Sequence, residues 1–341
     1  MIRRLTSADQ VAYATFRRQL WPYHAGAGYW EAVEVKYYLN PLSSLCPESG
    51  LYGCFEGERL CGVMGAHPWP VTLDGTVHPG HVLVDWAVLP ALRLSRVAGQ
   101  LWNELVRLPG RKYASHGSSR AQKAVQNHAV KIEVVQAVAI IRPIHALAAK
   151  FLHIYRYKHP SPLLLDQLEA YRGVELIEGS QVRAATPPVS QRTAWIHRGP
   201  DFWKLYCGAR IYNGAIPLRI RSAGGEADLV LSVCESGPSF RFTTLLSAQF
   251  VPYTLSCAAS VGRLLGGFLK RLNVGVLFAT EADAELATLV KNAAWYVHRV
   301  PTHWWTIPKD TDVFRHDSVS YWLTSADRDS HFGGLQPWTE D

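Results

Sequence analysis

A single carboxylate interrupts the apolar run Val82-Leu83-Val84-Asp85-Trp86-Ala87-Val88-Leu89, which Pro90 closes. Burial in a strand of this kind disfavours the ionised form, so Asp85 is expected to carry a raised pKa and to act as a general base. The alternative is a carboxylate that anchors a neighbouring loop or basic side chain. Just past Pro90 comes Arg93-Leu94-Ser95-Arg96-Val97-Ala98-Gly99, where a helical pattern begins. The first amides of a helix lack intrahelical partners and their dipoles favour an anion. Amides near Ser95 to Ala98 are therefore expected to hold a phosphate or pyrophosphate, with Arg93 and Arg96 adding charge-assisted contacts.

Other candidates are weighed against plainer roles. An imidazole can accept a proton near neutrality, so His81 and His116 are candidate bases, but in a chain with 14 histidines either reads more readily as a surface or structural residue. Ser115 beside His116 invites a hydrolase reading. No G-x-S-x-G elbow is present, however, and neighbours on a strand face opposite ways. Ser118 or Ser119 instead reads as a helix cap, with Gln122 completing a box from Ser119. The six cysteines, Cys46, Cys54, Cys61, Cys207, Cys234 and Cys257, form no CxxC pair and sit at no metal-ligand spacing with histidine. No metal site is expected, and a reduced cytoplasmic compartment fits.

These residues need a frame. Ile2 to Leu5 reads as a strand, Thr6 and Asp9 as a helix-start pair, Ala8 to Leu20 as a helix, and Ala32 to Leu39 as a second helix ending before Pro41. Tyr52 to Phe55 and Leu60 to Ala66 form a hairpin, and the Asp74-Gly75 turn precedes a strand from Val82 to Val88. Leu94 to Leu108 is a helix with Leu94, Val97, Ala98, Leu101, Leu105 and Leu108 on one face. A strand near Tyr113 to Ser115, a helix near Ser119 to His128 and a strand within Lys131 to Ile141 follow. This order predicts an α/β fold with a mixed, mostly antiparallel sheet flanked by helices.

The second half repeats the outline: strands Asp228 to Cys234 and Phe240 to Leu246, a helix from Tyr253 to Leu272, and a strand from Val274 to Ala279. A helix from Glu285 to Trp295 and strands near Tyr296 to Val300 and Val319 to Leu323 complete it. Two domains, 1–150 and 192–330, joined by a connecting helix and linker over 151–191, are the expected organisation, the linker proper being Ala184 to Gln191. Gly266 and Gly267 lie inside the long helix, where close packing or a bend explains them better than a ligand loop.

The run from Arg93 to Ala98 resembles the acyl-CoA loop of the GCN5-related N-acyltransferase (GNAT) superfamily. That loop has Gln or Arg, two variable residues, Gly, one variable residue, then Gly or Ala. Arg93 and Ala98 agree with it, and Arg96 stands where the first glycine belongs. The resemblance extends over the order of elements from Ile2 to Ile141, and more faintly from Asp228 to Leu323. It implies two GNAT-like domains, with acyl-CoA or acetyl-CoA as co-substrate and the donor site in the first. Its phosphates would lie on Arg93, Arg96, Val97, Ala98 and Gly99. Its pantetheine arm would lie in a gap between strands, hydrogen-bonded to the backbone of Val88 and Leu89 and facing Tyr113 to Ser115. Catalysis would fall to Asp85 or His116 as base. Tyr155, or Tyr157, would protonate the leaving thiolate, or else form part of an aromatic, basic surface.

Composition bounds the rest. The chain has 341 residues, 48% of them hydrophobic and 18% charged, which excludes global disorder and small disulfide-stapled folds. The surplus of +7 from 35 basic and 28 acidic side chains is too diffuse for a nucleic-acid footprint. The start lacks an apolar export segment, and runs such as Val134 to Ile141 are too short to span a bilayer, so no membrane insertion is expected. Trp195, His197, Trp203, Tyr206, Tyr212, Trp304 and Trp305 offer stacking faces to an acceptor such as an amino sugar or another amine, or simply fill cores. The leading function is N-acyl transfer from acyl-CoA or an acyl carrier protein to an amine. The alternative is a non-catalytic tandem protein that binds a ligand or partner.

Overall fold

A computed structural model describes residues 1–20, 29–93, 95–114, 125, 129–143, 159–160, 171–184, 186, 193–196, 198–208, 215–235, 241–307 and 320–322. Contacts divide the chain into two units, Met1–Ile132 with His303–Val319, and Glu133–Thr302 with Ser320–Asp341.

The first unit holds strands β1 (Ile2–Arg4), β2 (Gly50–Glu56), β3 (Arg59–Pro68), β4 (Val71–Leu73), β5 (Thr76–His78), β6 (Gly80–Val88) and β7 (Arg111–Ala114), with helices α1 (Gln10–Leu20), α2 (Tyr29–Val33) and α3 (Val97–Arg107). The pairs β1/β2, β2/β3 and β3/β6 are antiparallel, whereas β6/β7 is parallel. A parallel neighbour requires a crossover, and α3 supplies it. Val97, Leu101 and Leu105, spaced along one face of α3, bury against Tyr52, Cys54, Met64, Ala66 and Leu83. At the start of α1, Asp9 accepts from the Thr6 amide at 2.9 Å and from the Arg3 fork, as the Thr6/Asp9 spacing predicts.

The second unit holds β8 (Val130–Ile140), which the division enters at Glu133, then β9 (His159–Pro160), β10 (Val174–Leu176), β11 (Thr193–Trp195), β12 (Ala215–Ser222), β13 (Gly225–Glu235), β14 (Arg241–Val251), β15 (Val274–Thr280), β16 (Tyr296–Ile307) and β17 (Ser320–Trp322). Its helices are α4 (Pro200–Gly208), α5 (Leu255–Arg271) and α6 (Ala284–Ala293). The hydrogen-bonded order is β16-β8-β15-β14-β13-β12-β10. Again three antiparallel strands, β12, β13 and β14, lead through a helix, α5, to a parallel strand, β15. Gly262 and Gly266 let α6 close onto α5, since a Cβ on either would run into the Leu289 or Ala293 carbonyl. The packing explanation of Gly266 is therefore the correct one.

The domain boundaries differ from those expected. β8 does not complete the first unit, because Ala137, Ala139 and Ile141 bury in the core of the second, and Val276 to Thr280 of β15 pair with it. Residues 171–184 are part of the second unit's body and not a connector. β10 pairs with β12, and Arg183 Nε donates to the buried Asp228 carboxylate at 2.8 Å. The first unit in turn takes the end of β16, with Trp305, Thr306 and Ile307 opposite Ala114, Tyr113 and Lys112. Each half does not close on its own contiguous segment. Most of the linker 184–191 lies outside the described residues.

Candidate active site

Among the described residues β6 pairs with β7 at Gly80 to Val82, opposite Arg111 to Tyr113, and β6 itself runs to Val88. Along this onward stretch β6 keeps β3 on its other side, and there the register slips. Val63 faces Ala87 and Gly65 faces Val84, so Asp85 and Trp86 together oppose Met64 alone. This is a β-bulge, and Asp85 occupies it with left-handed backbone at φ 52°. The extra residue resets the alternation of faces. Leu83, Trp86 and Val88 join the core beneath α3, with Trp86 stacked on Trp102 at 5.6 Å, whereas Asp85 points to the opposite face.

On that face the segment expected as one helix over Ala32 to Leu39 is two pieces, α2 and a π-helical turn from Glu34 to Tyr38. The turn carries Lys36 and Tyr37 onto the bulge. Lys36 Nζ and Tyr37 Oη both donate to Asp85 Oδ2, at 2.9 and 2.5 Å. Tyr37 is completely buried, and its ring crosses β3 at Gly65, where a Cβ would overlap the hydroxyl. Tyr13 of α1 belongs to the same electrostatic cluster, its hydroxyl pushed up to about 12 chiefly by burial.

The expected raised pKa of Asp85 is overturned by these partners. Burial does push the carboxyl up, but the Lys36 charge and the hydrogen bonds from Tyr37 and Lys36 outweigh it. They hold Asp85 below the ordinary carboxylate value. The anchoring alternative describes it better than the base. His81 is also buried, and it sits in β6 opposite Lys112, at the end of the strand away from the bulge. His116 and Tyr155 lie outside the described residues, as do Leu94, Ser115, Ser118, Ser119, Tyr157, His197 and Tyr212.

At the far end of β6 the Leu89 amide donates to Cys61 O at 3.0 Å, so it is not available to a ligand as expected. Strand alternation then turns the Val88 amide and carbonyl away from β3. The chain continues through a 3₁₀ turn, Pro90–Leu92, and α3 begins at Val97. Ser95 Oγ accepts from the Val97 amide at 3.3 Å, while the amides of Ala98 and Gly99 stand in the first turn, where no intrahelical acceptor exists. Arg93, Ser95, Arg96 and Gly99 are exposed, and nothing lies within 4 Å of where a Gly99 Cβ would be. The helix start thus has room beside Gly99 and the amide donors that a phosphate group needs. In the second unit β14 has a similar slip, with Val230 opposite Ser247 and Leu231 opposite Leu245. There only Pro252, Tyr253 and the capping Thr254 separate β14 from α5.

Several residues singled out as an aromatic acceptor wall are core. Trp203, Tyr206 and Trp304 are at most 2% exposed, and Trp304 packs on Trp69 at 5.3 Å. Conversely, Lys36, Tyr37 and Gly65 escape the sequence reading. The available signal was Lys36 beside Tyr37 at helical spacing from Val33, a lysine on an otherwise buried face. Among the described residues no group of three or more His, Cys, Asp or Glu could hold a metal, and no helix is long and apolar enough to cross a membrane.

No family model matches the chain, and no curated protein matches it in sequence. Solved structures do match it. The chain is similar to a GCN5-related N-acetyltransferase from Anabaena variabilis ATCC 29413, with 8% identity over 90% of this chain and 72% of that one and a TM-score of 0.54. A conserved protein of unknown function from Enterococcus faecalis V583, a probable N-acyltransferase, matches with 11% identity over 89% and 72% of the chains and a TM-score of 0.55. A GCN5-related N-acetyltransferase from Kribbella flavida matches with 8% identity over 90% and 71% and a TM-score of 0.51. What they share with this chain is the fold.

Proposed function

We propose that this chain, which has the GCN5-related N-acetyltransferase fold, transfers an acyl group to an amine, taking it from acyl-CoA or from an acyl carrier protein. The observation that carries the reading is the stretch of β6 from Leu83 to Val88, which contains the bulge and leads into the start of α3, where Ser95 Oγ accepts from the Val97 amide. A pantetheine arm would lie along this edge against the Val88 backbone. The donor's phosphates would sit at Val97, Ala98 and Gly99 with Arg93 and Arg96 beside them. The thioester supplies an activated acyl group, and the chain's own residues orient it and manage the protons. The donor site belongs to the first unit, because the second has too short a loop before α5 for the same seat.

Transfer needs a neutral amine and a protonated leaving thiolate. With Asp85 held ionised by Lys36 and Tyr37, we assign the base to His116, which follows β7, and the acid to Tyr155. The acceptor is a small molecule or saccharide amine, and the protein acts in the cytoplasm as two GNAT-like domains. A purely ligand-binding tandem protein is the second reading. It calls for Arg96 or an aromatic ring to plug the loop, and the open space beside Gly99 speaks against it. The test is a thermal-shift screen with CoA, acetyl-CoA, longer acyl-CoAs and acyl carrier protein, followed by mass spectrometry of an amine panel incubated with the best donor. A donor-dependent shift with an acylated amine supports the enzyme. A shift without transfer keeps the donor site and removes the tested amines as acceptors, and no shift with any donor rejects the enzyme in favour of the binding protein.

A further inference from the structure

The helices α5 and α6 run side by side in the same direction, since a Cβ on Gly262 would meet the Leu289 carbonyl and one on Gly266, a turn further along, the Ala293 carbonyl. Their C-termini therefore share one end of the second unit. Strand ends gather there as well. Arg241 at the start of β14 is in register with Val274 and donates to Leu272 O at 3.0 Å. Just past β8 the Ile141 amide donates to Gly275 O at 2.9 Å, and Arg142 bonds the Asn273 side chain. The Trp295 amide, ahead of β16, donates to Ile140 O at 2.8 Å.

This end is cationic and aromatic at once. Lys270 and Arg271 in the last turn of α5 and Lys291 in the last turn of α6 are exposed. Cations at helix C-termini complement the helix dipole, which accounts for them without any ligand. That account does not reach Trp295, which follows the end of α6 and is 70% exposed, or Tyr296 beside it, 52% exposed with its ring centroid 6.4 Å from that of the indole. Scattered single apolar residues at a surface need no explanation, but two adjoining large rings left in water mark a contact site.

Size and charge choose the occupant. The exposed part of the two rings is roughly 300 Å², well short of the roughly 800 Å² that each partner gives to a stable protein interface. At a bilayer surface shallow burial suffices, because Trp and Tyr settle at headgroup depth and each nearby Lys or Arg adds attraction to anionic lipid. We propose that this end of the second unit docks the protein on the surface of an anionic lipid bilayer, with Trp295 and Tyr296 as the seated rings and Lys270, Arg271 and Lys291 facing the headgroups. Docking of this kind requires no spanning helix and no acyl donor.

Sedimentation of the full chain with vesicles tests this, one set of phosphatidylcholine alone and one with about a third of phosphatidylglycerol. The wild type should sediment with the anionic vesicles and stay in solution with the neutral ones, and salt at about 0.5 M should release it. Trp295→Ser should lower the partition coefficient by about tenfold. Lys270→Ser combined with Lys291→Ser should lower it by about twentyfold, each exposed cation contributing about fivefold. All three positions are exposed, so the variants should keep the fold, which thermal unfolding checks. Val11→Ser, which removes an apolar side chain 78% exposed on α1, is the control and should change nothing.

Wild-type protein that stays in solution with anionic vesicles overturns the proposal, as does equal binding to neutral ones or binding that Trp295→Ser leaves unchanged. If sedimentation fails and ultracentrifugation shows a dimer that Trp295→Ser dissociates, the rings belong to a second copy of this chain and the bilayer is rejected.

Discussion

The Tyr37 hydroxyl lies where Gly65 would carry a Cβ, so the ring reaches Asp85 across β3 only because position 65 has no side chain. Gly65→Ala should therefore displace Tyr37 from Asp85 as well as crowd the core. A loss of about 1 to 3 kcal/mol of stability is the ordinary consequence of such overpacking, and urea denaturation measures it. Wild-type stability in Gly65→Ala would show that the ring has another place to go.

At the start of α3 the expected effect is on affinity and not on stability. Arg93→Ala removes an exposed guanidinium beside the first turn, and CoA should bind about tenfold more weakly, the worth of a charge-assisted contact. Titration of the folded variant with CoA checks this, and unchanged affinity would remove Arg93 from the phosphate seat.

The pH profile of turnover separates Asp85 from the true base. Its carboxyl lies below the ordinary carboxylate value, so it is already ionised throughout the neutral range. Any inflection in kcat above about pH 5 then belongs to another group and should persist in Asp85→Asn. Disappearance of that inflection in the variant would restore Asp85 as the base.

Asp9 gives a stability prediction with a definite sign. The Arg3 fork, against the opposing push of burial and with help from the Thr6 amide, holds its carboxyl down to about 2 from an ordinary 3.8. A carboxyl depressed in the folded state takes up its proton more readily when the chain is unfolded. Its stabilising contribution is complete above about pH 5 and disappears as the pH falls through about 2. Urea midpoints measured from pH 6 downward should therefore decline less steeply in Asp9→Asn than in the wild type.

Glycines on two helices should answer the same substitution in opposite ways. Gly266→Ala drives a Cβ into the Ala293 backbone of α6 and should cost about 1 to 3 kcal/mol. Gly99→Ala meets nothing within 4 Å and should stabilise α3 by up to about 1 kcal/mol through helix propensity. The difference in Tm between the two variants reads this directly, and equal Tm values would contradict the α5/α6 contact.

Much of the frame was legible in the chain itself. The three-strand meander, the buried stripe of Val97, Leu101 and Leu105, the Thr6/Asp9 start and the packing role of Gly266 all depend on residues close in sequence. Turn chemistry and periodicity report such neighbours. The GNAT resemblance, drawn from the run Arg93 to Ala98 and the order of elements, is one that the fold bears out.

What tertiary structure alone decided is which distant segments meet. β8 carries the alternation of an ordinary strand, and nothing in it says that Ala137 and Ala139 bury in the second unit, or that residues 305–307 pair with β7. The bulge at Asp85 exists only as a mismatch of register with β3, so one strand read alone shows an apolar run with one carboxylate in it and no bulge. The charge state of Asp85 was decided in the same way. Burial by itself raises a carboxyl pKa, and the sign reverses because Lys36 and Tyr37, 49 and 48 residues away in the chain, arrive at a single oxygen. Local sequence sets the solvation of a side chain, but only the fold brings up the opposite charge that competes with it.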